Sequence, residues 1–356
     1  MLIYACISSH GFGHGSRTAA VLSQLHRLRP DWRLVLSTAL PEAFLATAFG
    51  PLPVEHRRCQ WDVGVLQADA LGSDPLATLQ ALEQLEQRLP QQLAAEQAWL
   101  ARQPEPVLVL ADVPPAAALL ARQGDAPLVW LASFGWDGIY AAFGDAFQPW
   151  VEHCRALYRR GTLLLHCPLA LPMDWDIPSC RIGLTAGEPR LDGPQLARQL
   201  ALPRERDRVV LISFGGLGFG LDPQLPARWP EHVFIGHDAQ LAAVPNGRCL
   251  DPAVRPLELM GQCGRLITKP GYSSFCEAMT YGVGIHLVHR DGFAEAPVLE
   301  RDLQRHGWHR LLSRQQFESG HWQLDQPLLP PQLGPLPRGG AGQAAAALVA
   351  CAAELR

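Results

Sequence analysis

The feature that most constrains this chain is the alternation of short apolar runs with amphipathic stretches. Leu2–Ser9, Arg33–Ser37, Val107–Leu110, Leu128–Ala132 and Thr162–His166 read as buried strands, with Ser16–Arg29 and Pro75–Arg102 as helical regions between them. Val21, Leu22, Leu25 and Leu28 share one face of the first helix, and Pro30 ends it. The second helical region contains Pro90, where a break is expected. Strands covered on both faces lose the alternation of polar and apolar residues, so the pattern predicts parallel sheets sandwiched by helices. It restarts at Val209–Ser213 and runs through Val233–Ile235, Arg265–Thr268 and Ile285–Val288 to an Ala-rich helix over Gly342–Leu355. Residues 168–206, rich in Pro, Arg and Gly, read as the crossing between two domains. A length of 356 residues suits two cores of about 150–200 residues each. The expected fold is α/β, with two doubly wound Rossmann-like domains facing across a cleft. They would comprise residues 1–180 and 181–356, and the last helix is a candidate to return to the first domain.

Composition removes several classes of function. A hydrophobic fraction of 48% with 18% charged residues describes a globular protein. A formal net charge of −4 gives no general pull toward nucleic acid or an anionic membrane, and only local patches could act there. The nine cysteines are scattered, odd in number and without a C-x-x-C pair, so neither a disulfide framework nor a metal site is expected. No basic leader accompanies Met1–Ile7, and no apolar stretch approaches the ~20 residues of a membrane span, so the expected location is cytoplasmic.

In open parallel sheets, ligands sit at the carboxyl ends of the strands. The first strand runs into Ser8–Arg17, where Gly11, Gly13 and Gly15 allow a tight turn with open N–H groups before a helix. It contains neither a phosphate-binding P-loop nor G-x-G-x-x-G, since Ser16 stands three places after Gly13. His14 has the residue type for a general base; the plainer reading makes His10 and His14 loop or capping residues. Asp112 ends the run Val107–Asp112 on the same rim, where it could orient an imidazole or cap the helix near Pro114.

The second domain repeats the arrangement. Ser213-Phe214-Gly215-Gly216 could bring backbone N–H groups against a pyrophosphate, or form a plain turn. After Arg265–Thr268 comes Lys269-Pro270-Gly271-Tyr272-Ser273-Ser274, an anion site at a helix start. Lys269 is the only lysine among the chain's 30 Lys and Arg residues, which draws attention to that segment. Ser274–Glu277 reads as a capping box, which would engage Glu277 without any ligand. Arg290 and Asp291 follow the next strand on the same rim; their plain reading is a solvated turn.

HGFGHGSR (10–17), VGVLQADAL (63–71), ADVPPAAALLA (111–121), FGWDGIYAAF (134–143), VVLISFGG (209–216), TKPGYSSFCEAMTYG (268–282) and HRDGFAEAPVLE (289–300) keep one order along the chain. With these motifs it resembles the glycosyltransferase-like, non-kinase half of plant L-arabinokinase and its free-standing bacterial relatives. Lys269–Glu277 is also similar to the donor site of the wider GT-B superfamily. That resemblance implies a GT-B fold and a UDP- or GDP-linked nucleotide diphosphate sugar as one partner. An unknown acceptor hydroxyl would be the other. It places His14 as the base and Asp112 as its orienting carboxylate. Glu277 would then bind the donor ribose, and Arg290 and Asp291 would approach the sugar, with Glu295 a weaker candidate. Gly13, Gln67, Asp69, Trp136 and Asp137 fall on the acceptor side, although Trp136 equally suits a core aromatic. No cofactor is implied, and the D-x-D spelling of Asp174-Trp175-Asp176 lies in a Pro-flanked linker. No kinase-type phosphate loop is seen, so sugar kinase activity is not carried over. The expected activity is metal-independent glycosyl transfer; the same residues also fit a non-catalytic nucleotide-sugar module or a nucleotide-sugar epimerase.

Overall fold

A computed structural model describes residues 1–66, 72–215, 222–290 and 292–354. Its first sheet contains β1 (Leu2–Ile7), β2 (Arg33–Ser37), β3 (Val54–Arg57), β4 (Val107–Asp112), β5 (Leu128–Ala132), β6 (Leu163–His166) and β7 (Ser179–Arg181). Their spatial order is β3-β2-β1-β4-β5-β6-β7, and every pairing is parallel. The second sheet contains β8 (Val209–Ile212), β9 (Val233–Gly236), β10 (Gly247–Cys249), β11 (Arg265–Thr268), β12 (Gly284–Val288) and β13 (His309–Leu312). It is also parallel throughout, ordered β10-β9-β8-β11-β12-β13.

The strand order fixes where a site can form. In the first sheet the chain leaves β1 toward β2 and later returns to place β4 on the other side of β1. The two helical connections diverge there and leave a crevice at the strands' carboxyl ends. Ile7 pairs with Asp112 at that point. The second sheet reverses between β8 and β11, where Ile212 pairs with Ile267. The central strands are buried on both faces: β1 is buried at every position, and β4 at all but its first.

Helix boundaries differ from the sequence reading in several places. The first helix spans Phe12–Leu28, so Gly13, His14 and Gly15 lie in its opening turn and not in a loop. Glycine is the poorest helix former after proline, but a Cβ on Gly15 would stand 2.5 Å from the Phe44 ring, so tight packing requires glycine there. The second runs unbroken from Pro75 to Leu100 with Pro90 inside it. Asp74 caps it by accepting from the Ala77 N–H at 3.0 Å. The closing helix, Gly340–Ala353, packs on Phe12–Leu28, tying the end of the chain to the first domain. Its entry is tight, because a Cβ on Gly340 would meet the Gly183 carbonyl oxygen at 1.9 Å. Among the described residues no helix is long and apolar enough to cross a membrane.

Candidate active site

His14, Arg17 and Thr18 stand at i, i+3 and i+4 on Phe12–Leu28 and therefore share a face. All three reach the Asp112 carboxylate at the end of β4. His14 Nδ1 lies 2.8 Å from Oδ1, Arg17 Nε donates to Oδ2 at 2.9 Å, and Thr18 Oγ1 donates to Oδ2 at 3.0 Å. A second Arg17 nitrogen, Nη2, donates to Oδ1. Asp112 is fully buried. Burial alone would push its carboxyl up, but the charge and hydrogen bonds of Arg17, joined by those of His14, hold it below the usual carboxylate range. An ionised Asp112 assigns the shared proton to His14 Nδ1. His14 Nε2 then presents its lone pair, with no protein hydrogen-bond partner among the described residues.

Arg17 was quoted in a sequence motif but had no assigned role, and Thr18 was overlooked. The signal was present: three polar residues on the otherwise apolar buried face of a helix require partners there. Arg17 also crosses the cleft. Its Nη1 donates to Ser133 Oγ at 2.9 Å, and its guanidinium lies over the Tyr272 ring, 4.7 Å from the centroid. Ser133 Oγ in turn donates to Glu295 Oε1 at 3.3 Å. Burial raises the Glu295 carboxyl, against the pull of Arg17 and His14.

Aromatic side chains enclose His14. Its ring meets Phe134 edge-on at 5.6 Å and lies 6.4 Å from Trp136. Trp136 is fully buried, and its indole donates to Asp62 Oδ2 at 2.8 Å. Asp137 accepts from Trp175 Nε1 at 3.3 Å and from Arg155 Nε at 3.4 Å. Neither Asp137 nor His14, Lys269 or Arg290 is in the wall of the cavity described below. His10 accepts the Val65 N–H at 3.1 Å and stacks on Phe293 at 5.7 Å. Burial, then the neighbouring His14, Arg290 and Lys269, lowers its pKa to about 3, so its ring is neutral.

On the second rim, helix Tyr272–Tyr281 starts directly after Gly271, whose extended backbone is its N-cap. The expected capping box is absent: no side chain caps this helix, Ser274 lies inside the first turn, and Glu277 is in the second. Tyr272 is buried, and its hydroxyl accepts from Thr185 Oγ1 at 3.1 Å. Lys269 is partly buried; burial and then the charge of Arg290 lower its pKa to about 8. Arg290 is buried, with its guanidinium over the Phe293 ring at 4.5 Å.

Between the domains lies a cavity of about 930 Å³, with Gly13, Gly215, Ser273, Ser274 and Glu277 in its wall. That volume is in the range of small-molecule sites. At one edge the rims touch, where Ser273 Oγ donates to the Gly13 carbonyl at 2.8 Å. His14 follows Gly13 in the same helical turn. Burial, opposed by Arg255 and reinforced by Glu258, pushes Glu277 up to about 7. Gln67, Asp69, Gly216 and Asp291 lie outside the described residues. Among the described residues no group of three or more His, Cys, Asp or Glu side chains is arranged to hold a metal ion.

No family model matches the chain. It is similar to L-arabinokinase of Arabidopsis thaliana, 27% identical over 330 residues that cover 89% of this chain and 31% of that protein. The chain thus spans less than a third of that relative's length. Among solved structures it is similar to Arabidopsis thaliana UGT89C1 complexed with UDP-L-rhamnose, with a TM-score of 0.61, 12% identity, and coverage of 92% of this chain and 89% of that one. It is likewise similar to a UDP-glucosyltransferase from Polygonum tinctorium, with a TM-score of 0.61, 13% identity, and coverage of 99% and 94%. The fold is therefore GT-B, two α/β domains with parallel sheets whose strand ends face each other across a cleft.

Proposed function

We propose that this chain is a glycosyltransferase that moves a sugar from a nucleotide diphosphate sugar to an acceptor hydroxyl, with residues 1–180 as the acceptor side and 181–356 as the donor side. The observation that carries the reading is the His14–Asp112 pair: a buried carboxylate held as the anion fixes the imidazole with Nε2 available. The solved relatives named above, described as binding UDP-L-rhamnose or as a UDP-glucosyltransferase, support the donor class.

In this reading the nucleotide occupies the cavity beside Gly215 and Ser274, and Glu277 accepts from ribose hydroxyls. The diphosphate faces the start of helix Tyr272–Tyr281, where backbone N–H groups, the Ser273 and Ser274 hydroxyls and Lys269 meet its charge. Ser273 would leave the Gly13 carbonyl to do so. His14 Nε2 takes the acceptor's proton as its oxygen attacks the anomeric carbon, and the bond from that carbon to the diphosphate oxygen breaks. The electron pair leaves with the diphosphate, whose growing charge the cationic rim stabilises. Asp112 stabilises the imidazolium formed at His14. Arg290, which acts on Lys269, and Glu295, which acts on His14, are the candidates for contact with the transferred sugar.

Incubation with UDP- and GDP-sugars and a panel of hydroxylated acceptors, with release of nucleoside diphosphate as the readout, tests the reading. Turnover should fall by at least about 100-fold in His14→Ala, and an undiminished rate in that variant would remove His14 as the base. Donor binding without turnover in the wild type would instead favour a non-catalytic nucleotide-sugar module.

A further inference from the structure

Arg17 is 2% exposed and uses every part of its guanidinium. Nε and Nη2 take one oxygen each of Asp112, Nη1 takes Ser133, and the flat face covers Tyr272, the first residue of the donor-side helix. We propose that Arg17 is a positioning residue that sets the proton affinity of the His14–Asp112 pair and locks that pair to the donor-side helix. Its consequence for turnover rests on His14 being the base; its effect on the proton affinity of the pair does not.

The electrostatic argument starts from the pair. An unopposed carboxylate beside an imidazole stabilises the imidazolium and makes the pair hold its proton to higher pH. A guanidinium forked onto the same carboxylate cancels much of that field, leaving an imidazole that Asp112 orients but holds less strongly in its charged form. Glu295 and Asp62 also act on the ring and favour the charged imidazole, whereas His10 beside it is neutral and the cations Lys269 and Arg290 act on His10. Without Arg17, Asp112 and Glu295 would act on His14 together. Lysine at position 17 would preserve the charge but could neither fork across both carboxylate oxygens nor lie flat on Tyr272.

The test follows the His14 ring Cε1–H resonance in labelled full-length protein as pH is varied, in wild type, Arg17→Gln and Arg17→Lys, with His14→Gln assigning the signal. Arg17→Gln should raise the midpoint by about one pH unit and move the acidic limb of kcat/KM by the same amount. Arg17→Lys should keep the midpoint and lower kcat, on the order of 10-fold. An unchanged or lower midpoint in Arg17→Gln overturns the proposal. If that variant does not fold, a full-unit shift in Arg17→Lys overturns it equally, since the charge is retained there. The resonance requires no turnover. A wild type that transfers nothing while Arg17→Gln shifts as expected refutes the base and leaves the positioning role standing. Normal turnover with no shift does the reverse.

Discussion

Replacing Asp112 by Asn keeps the shape of the side chain and removes its charge. The carboxylate accepts from His14, twice from Arg17, and from Thr18, and both it and Arg17 are sealed from solvent. Asn supplies one acceptor oxygen where the carboxylate had two, and its NH₂ would face a donor. The larger loss is electrostatic, because Arg17 becomes a buried cation linked to another carboxylate, Glu295, through Ser133. Breaking a buried pair from one side costs about 3–5 kcal/mol. At roughly 2–4 °C per kcal/mol for a domain of this size, the melting temperature should fall by at least about 6 °C. Scanning calorimetry at neutral pH measures this. The double variant Asp112→Asn, Arg17→Gln should lose less than the sum of the singles, with a coupling on the order of 2 kcal/mol. Linkage adds a pH signature. Asp112's folded pKa is lowered, so its contribution is complete above the unfolded carboxylate value and is lost as pH falls through the folded one. The gap between wild type and Asp112→Asn should therefore narrow in acid. An Asp112→Asn melting temperature within 2 °C of wild type, or simple additivity with Arg17→Gln, would show that the buried network does not work as described.

Donor affinity should peak between about pH 7, below which Glu277 takes a proton, and about pH 8, above which Lys269 loses one. Titration calorimetry should show the alkaline limb vanish in Lys269→Met and the acidic limb in Glu277→Gln, each with about a 10-fold weaker Kd near neutrality; a flat wild-type profile would contradict both assignments. Ser273→Ala removes the hydroxyl that bridges to Gly13, so faster hydrogen exchange should appear at both rims of the unliganded protein. Gly340→Ala forces a methyl group into the Gly183 carbonyl and should cost about 1–3 kcal/mol in thermal melting, although it improves helix propensity.

The parallel α/β layout was legible because the central strands are uninterrupted apolar runs, and Asp112 stood out as a carboxylate ending one of them. The edge strands Val54–Arg57, Ser179–Arg181 and Gly247–Cys249 were not, because they are short and carry the polar side chains that edges tolerate. The start of the first helix was misread because Gly13 and Gly15 signal a loop locally, whereas the contact of Gly15 with Phe44 is tertiary. Glu277 shows the converse error: the local spelling Ser-x-x-Glu suggested a cap, but the helix begins earlier at Tyr272 and turns Glu277 into the cavity wall. Arg17 was missed because its partners, Asp112, Ser133 and Tyr272, are distant in sequence and meet only at the domain interface.

The central claim is that the cleft binds a nucleotide diphosphate sugar at the start of helix Tyr272–Tyr281. A thermal-shift panel of nucleoside diphosphates and UDP- and GDP-linked sugars, run on wild type, Lys269→Ala and Glu277→Ala, tests it most directly. At a ligand concentration about 100 times Kd, binding stabilises by about 2.7 kcal/mol, a shift of several degrees. The account predicts such a shift with at least one UDP- or GDP-linked compound, cut to about half in each variant by a roughly 10-fold weaker Kd. No shift with any member of the panel, or one that is undiminished in both variants, would contradict it.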